Sequence, residues 1–215
     1  MHFDTKDLTA RQIYALLIGL VAPRPIALVT SRDEKGRLNA APFSAFNYVG
    51  VDPPLVVIGV QDRPGAERVA KDTARNIRHQ GEFVINVVTE ELGEAMNVCA
   101  IDFPPGINEL EEAGLTTTPS RHVKVPRIAQ ARAALECREV QTVEIGRTRL
   151  IIGEVLAFHV DDALVDASGP YIKAEDFHHL GRMNGLGNYV RTRGAFVNIP
   201  RIELRAWEAS KKKED

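Results

Sequence analysis

APRPIALVTSRDEKGRLNAAPFSAFNYVGVDPPLVVIGV, Ala22 to Val60, reads as short β segments cut by prolines, glycine and small polar residues. Pro23 and Pro25 force Ala22 and Arg24 into extended geometry. Ile26–Thr30 has the apolar run of a buried strand. Arg32–Arg37 is a charged turn in which Gly36 is free to take positive φ. Leu38–Pro42 returns antiparallel, so the pair is a hairpin. Phe43–Val51 alternates apolar with small or polar residues and predicts another strand, stopped by Asp52-Pro53-Pro54. Leu55–Val60 is wholly apolar, the pattern of a strand covered on both faces. The polar residues fall where strands end, where backbone and hydroxyl groups can hold a ligand.

Working outward, residues 1–21 predict a helix with Thr9 as N-cap and one apolar stripe from Ile13, Leu16, Leu17 and Leu20. Downstream, KDTARNIRHQGEFVIN (Lys71–Asn86) places a helix to about Gln80, capped by Asp72 or Thr73 and ended by Gly81, then a central strand over Glu82–Val88. Glu90–Cys99 fits a second helix and Asn108–Ala113 a third helical turn. Ala131–Glu144 and Arg147–Val160 form a long hairpin around Ile145-Gly146. The final fifth is glycine-rich and irregular. About seven mostly antiparallel strands, with short helices between them, predict a mainly β fold: a closed or split β-barrel with helical decorations. The regular βαβ alternation of a doubly wound sheet is absent.

The composition excludes several classes. With 27 basic against 29 acidic residues, the net charge of −2 argues against a nucleic-acid protein, which would need a basic face. Lys211–Lys213 is answered at once by Glu214 and Asp215, as in a solvated end. Cys99 and Cys137, the only cysteines, are too few for a disulfide framework or zinc knuckle and fit reduced buried thiols. The polar, acidic start MHFDTKDLTARQ is unlike a secretory signal, and the apolar windows are too short to span a bilayer. Cytoplasmic residence without membrane attachment is the expectation.

For chemistry, none of His2, His79, His122, His159, His178 and His179 sits in metal-ligand spacing. GxSxG and Walker motifs are absent. Gly185-Leu186-Gly187 lacks the strand-before, helix-after setting of a dinucleotide fingerprint, so a nicotinamide cofactor would not be held in a Rossmann fold. What remains is Lys71-Asp72-Thr73 at the head of a helix. It offers an ammonium, a hydroxyl and free N–H groups to a phosphate, with Asn76 one turn on. The competing reading is plain helix capping by Asp72 or Thr73 with Lys71 solvated. Spacing alone favours the capping reading.

ProArgProIleAlaLeuValThrSer (23–31), Gly36-x-x-Asn39-x-AlaProPheSer-x-Phe (to 46), AspProPro (52–54) and LysAspThr-x-x-AsnIle (71–77) resemble the flavin reductase-like, FMN-binding split-barrel proteins. These include flavoredoxins and the reductase components of two-component flavin monooxygenases. Gly181-Arg182 through Tyr189 resembles the family's C-terminal flavin-proximal segment, departing at Arg182-Met183-Asn184-Gly185 where the family tends to have Arg-Leu-Gly-Gly. The resemblance implies a six-stranded split barrel over residues 22–200, flanked by the 1–21 helix and a 201–215 tail. It implies a homodimer with FMN near the subunit interface. Thr30 and Ser31 would contact the flavin or its ribityl chain. Phe43, Ser44, Ala45 and Phe46 would face the isoalloxazine edge, and Lys71, Thr73 and Asn76 would hold the phosphate. Arg182 would contact the flavin and His178 the nicotinamide side, with no side-chain acid or base required. Arg24 has either a bracing or a ligand role. The implied activity is hydride transfer from NADH or NADPH to bound flavin, and on to free flavin, another small acceptor or a monooxygenase partner. The alternatives are a flavoredoxin-type electron carrier and a split-barrel protein binding another ligand.

Overall fold

The computed structural model describes residues 1–204 except Ala66, Pro105, Leu186, Ala195 and Ile202. The tail expected over 201–215 lies almost wholly outside the described residues. Helix α1 (Ala10–Leu20) starts at Thr9 with a reciprocal Thr9–Gln12 capping box. Strands β1 (Ala27–Arg32), β2 (Leu38–Phe43), β3 (Phe46–Val51) and β4 (Pro54–Gln61) follow. Next come α2 (Asp72–Gln80), β5 (Glu82–Val87), α3 (Gly93–Val98), α4 (Glu109–Glu112), and the short strands β6 (Thr117–Thr118) and β7 (Arg127–Ile128). The long hairpin is β8 (Ala133–Ile145) and β9 (Thr148–Val160), and the C-terminal part holds α5 (Ala174–Phe177), β10 (Leu180–Arg182) and β11 (Tyr189–Arg191).

The main sheet has seven strands in the order β2-β1-β5-β8-β9-β4-β3, every pair antiparallel. That matches the count read from the residue pattern and is one more than the resemblance implied. One face encloses a core of Ala27, Val29, Phe43, Val56, Ile58, Phe83, Ile85 and Ile151, into which α2 lays Ala74 and Ile77. Close packing there needs Gly153, because a Cβ at that position would stand 2.5 Å from Phe83 Cζ. On the other face of β1 and β2, Leu28 and Ala40 pack with Leu92, Met96, Cys99, Leu110 and Ile128. The two outermost strands, β2 and β3, meet at a corner where Gly59 N–H donates to the Ala45 carbonyl at 2.7 Å. No helix among the described residues is long and apolar enough to cross a membrane.

Several expectations shift. The strand expected over Phe43–Val51 breaks at Ser44-Ala45, because the chain turns there to join the two outermost strands. The helix expected over Glu90–Cys99 is a 3-10 turn, Glu90–Leu92, running into α3. Strand β4 alternates in burial instead of being covered on both faces. Helix α1 buries none of its residues; Tyr14, Leu17 and Leu20 are 56%, 57% and 81% exposed. The stripe is real but does not meet this chain's own core.

A fully buried carboxylate had no signal in the sequence. Glu136 on β8 accepts from the N–H groups of Arg121, His122 and Val123, and His159 Nε2 lies 2.5 Å from it. Burial alone would raise its carboxyl; the Arg121 and His122 N–H groups and the His159 ring outweigh it and hold the group below the usual glutamate range.

Candidate functional site

Successive residues of a strand face opposite sides, so Ser31 and Thr30 part company. Ser31 pairs in register with Asn39 and faces α2. There Asn76 Nδ2 donates to Ser31 Oγ at 3.2 Å, and Asn39 Nδ2 donates to Thr73 Oγ1 at 3.1 Å. All four side chains are buried, forming a polar layer that fixes α2 against β1 and β2. Thr30 lies on the far face, where its hydroxyl donates to the Pro126 carbonyl at 2.9 Å. The structure thus gives the Thr30 side chain a place in the loop packing, away from the cleft that α2 borders.

Helix α2 has no side-chain cap. Its N-cap is Lys71, in extended geometry, so the first-turn N–H groups have no intrahelical partner. The expected cap by Asp72 or Thr73 is overturned because both side chains are taken elsewhere. Asp72 is bridged by Arg63 at 2.5 Å and by Arg75, and Thr73 accepts from Asn39. Lys71 enters no ion pair among the described residues. Gly81, at φ 69°, ends the helix as its residue type predicted.

This open helix end borders a cleft of about 220 Å³, whose lining includes Asn39, Phe43, Lys71, Thr73, Phe103 and Glu109. A second cleft of about 530 Å³ adjoins it, with Asn76 in its wall. Lys71, Thr73 and Phe43 are therefore together, and Asn76 and Ser31 are one layer away. Cys99 also borders the inner cleft. Burial, with a smaller push from Glu109, drives its thiol up to about 12, so it is no nucleophile at neutral pH.

The remaining expected residues sit elsewhere. Ser44 accepts from Arg24 Nε at 3.3 Å, Ala45 is exposed at the corner, and Phe46 packs on the inner core. Arg24 is a brace: its guanidinium also donates to the carbonyls of Ile18 (2.9 Å), Val21 (2.6 Å) and Met183 (2.7 Å). Its backbone pairs with Arg182, whose guanidinium lies 4.6 Å over the Tyr189 ring. His178, in left-handed geometry at φ 47°, lies 3.2 Å from Arg193 and 3.7 Å from Glu91. Neither Arg182 nor His178 lines the Lys71 cleft.

With this geometry in view, the flavin reductase like domain model matches residues 20–177. The chain belongs to the flavin reductase-like family. An uncharacterised protein of Deinococcus radiodurans is 43% identical over 212 residues, covering 96% of this chain and 92% of its own length. Among solved structures, 2-nitrobenzoate 2-nitroreductase of Pseudomonas fluorescens is similar at 38% identity and a TM-score of 0.86, over 95% of this chain and 98% of that one. Nitrilotriacetate monooxygenase component B of Bacillus cereus is similar at 34% identity and a TM-score of 0.84, with the same two coverages.

In this flavin reductase-like protein, sequence reasoning did not assign roles to Asn39, Arg63 and Glu109. Asn39 was visible as part of the Gly36-x-x-Asn39 motif. Arg63 and Glu109 gave no local signal, because they reach the cleft only through the loop after β4 and through α4.

Proposed function

We propose that the chain is an FMN-dependent oxidoreductase that takes hydride from NADH or NADPH and passes the electrons to free flavin or another small acceptor. The observation that carries this reading is the uncapped start of α2, with Lys71 unpaired among the described residues and the Thr73 hydroxyl, opening into a cleft walled by Phe43. A cation, a hydroxyl and free N–H groups at a helix start are the donor set of a phosphate monoester site, and an aromatic wall beside it suits a planar ring. Hydride acceptance at N5 is what bound FMN supplies. The chain's part is to anchor the phosphate through Lys71 and α2, to hold α2 rigid through the Ser31–Asn76 and Asn39–Thr73 pairs, and to shape the ring's surroundings from the Phe43–Phe46 corner. The similarity to a nitroreductase and to a monooxygenase component supports a small-molecule acceptor or a monooxygenase partner.

The flavin-binding unit in this reading is residues 22–200, working as a homodimer. The exposed apolar faces of α1 (Tyr14, Leu17, Leu20) and of β3 (Tyr48, Val49, Val51) support that assembly, in which Arg182 and His178 belong to the surroundings of a site at the subunit interface. The test is the visible spectrum of the FMN-loaded protein mixed anaerobically with NADH and with NADPH. Rapid bleaching of the flavin band by either is expected. No bleaching by either, with reduction by a protein donor, makes the chain an electron carrier, and failure to take up FMN ends the flavin reading.

A further inference from the structure

A third concavity, of about 610 Å³, lies where the start of β8 and the end of β9 meet the segment joining β6 to β7, and it shares no lining residue with either cleft beside α2. Its size suits a small molecule. Its wall is cationic: Arg121, His122, Arg127, Arg132 and His159 stand against a single lining carboxylate, Asp161, among the described residues. Two of these groups are already engaged. Arg132 Nε donates to Asp161 at 3.2 Å and its Nη1 to the Asp176 carbonyl at 3.0 Å, while His159 Nε2 lies 2.5 Å from Glu136. Arg121, His122 and Arg127 enter no ion pair among the described residues. Arg127 donates from Nη2 to the Pro119 carbonyl at 3.3 Å, but its Nε is buried with no acceptor among the described residues. A buried N–H without an acceptor is costly, and this one belongs to a side chain that lines the groove. The basic loop is also held in place. Fully buried Glu136 accepts from the N–H groups of Arg121, His122 and Val123 at 2.7, 2.6 and 3.2 Å, and Ser120 Oγ donates to the Val125 carbonyl at 2.6 Å. A buried carboxylate is a demanding way to shape a surface loop; here it fixes the backbone from which Arg121 and His122 project.

We propose that this groove is a second ligand site, for a small phosphorylated molecule, independent of the flavin reading above. Arg121 and Arg127 supply two positive charges with no carboxylate partner among the described residues. That matches the dianion of a phosphate monoester better than the single charge of a carboxylate. Guanidinium groups donate in pairs to phosphate oxygens, and the Arg127 Nε–H is satisfied by one of them. Phe158, 65% exposed in the same wall, offers an apolar face to the organic part of the molecule. The two acids nearby do not oppose the anion: Asp161 is engaged by Arg132, and Glu136 by three N–H groups and His159.

Calorimetric titration of the full-length protein with phenyl phosphate and benzoate, at about pH 8 where the phosphate is a dianion, reads the site. The titrations use the Lys71→Ala variant, which removes the other candidate phosphate anchor. Phenyl phosphate is expected to bind this protein saturably, one per chain and at least about ten-fold tighter than benzoate. Adding Arg121→Ala or Arg127→Gln is expected to weaken it at least about ten-fold, and adding Phe158→Ala by about two- to five-fold. Arg121 is exposed and enters no ion pair among the described residues, so its truncation leaves the fold intact and keeps the test readable. No saturable binding to Lys71→Ala, or binding that both arginine substitutions leave unmoved, overturns the second site whatever FMN does. Benzoate binding as tightly as phenyl phosphate overturns the assignment to a phosphate, and an unmoved affinity in Phe158→Ala overturns the apolar wall.

Discussion

Replacing Lys71 with alanine tests the proposed anchoring of a flavin phosphate at one atom. An ammonium–phosphate contact at roughly 4 Å is worth about 4 kcal/mol at an effective dielectric near 20. Part of that is offset by removing water from a half-buried cation, and the α2 N–H groups and the Thr73 hydroxyl remain after truncation. The lysine has no carboxylate partner among the described residues, so its loss strands no charge there, and Asp72 keeps both of its arginines. A net loss of about 1.5–3 kcal/mol follows, which raises the Kd for FMN roughly 10- to 150-fold. Quenching of flavin fluorescence on titration measures it directly. Riboflavin, which lacks the phosphate, should bind both proteins alike, and the gap for FMN should narrow at high salt. Unchanged FMN affinity, or an equal loss for riboflavin, would return Lys71 to the role of a solvated cation.

Other perturbations address the scaffold. Arg24→Ala removes contacts to three carbonyls and Ser44 and is expected to cost about 2–4 kcal/mol; an unmoved denaturation midpoint would show the brace to be idle. Gly153→Ala forces a methyl onto fully buried Phe83, and a loss of about 1–3 kcal/mol should appear as a Tm several degrees lower. Glu136→Ala strands three N–H donors and His159, for about 3–5 kcal/mol. Because the folded Glu136 carboxyl is held below its unfolded value, its contribution is full above the ordinary glutamate range and is lost as pH falls through the folded value. Denaturation midpoints measured from neutral to acid pH should therefore fall in the wild type, and fall less steeply in Glu136→Ala.

Local signals carried the elements a long way. Thr9 starts α1, Gly81 stops α2, and Gly146 turns the β8–β9 hairpin at φ 58°; each depends on residues within a few positions, and each stands where the sequence put it. Motifs in the right order also named the family. Of the candidate site, Lys71, Thr73 and Phe43 were singled out in the sequence and line one cleft, because a helix start and a strand end are local events.

Tertiary structure decided everything that depends on which face a residue shows and what lies across from it. Register against Asn39 and Ala40 sends Ser31 toward α2 and Thr30 toward Pro126. Thr73 looked like a cap until Asn39, 34 positions away, claimed its hydroxyl. Arg24 became a brace through Met183, 159 positions distant. Glu109 entered the cleft only because α4 folds back against β2. Periodicity and capping are set by neighbours along the chain, whereas burial and charge pairing are set by neighbours in space, and those exist only after the sheet has closed.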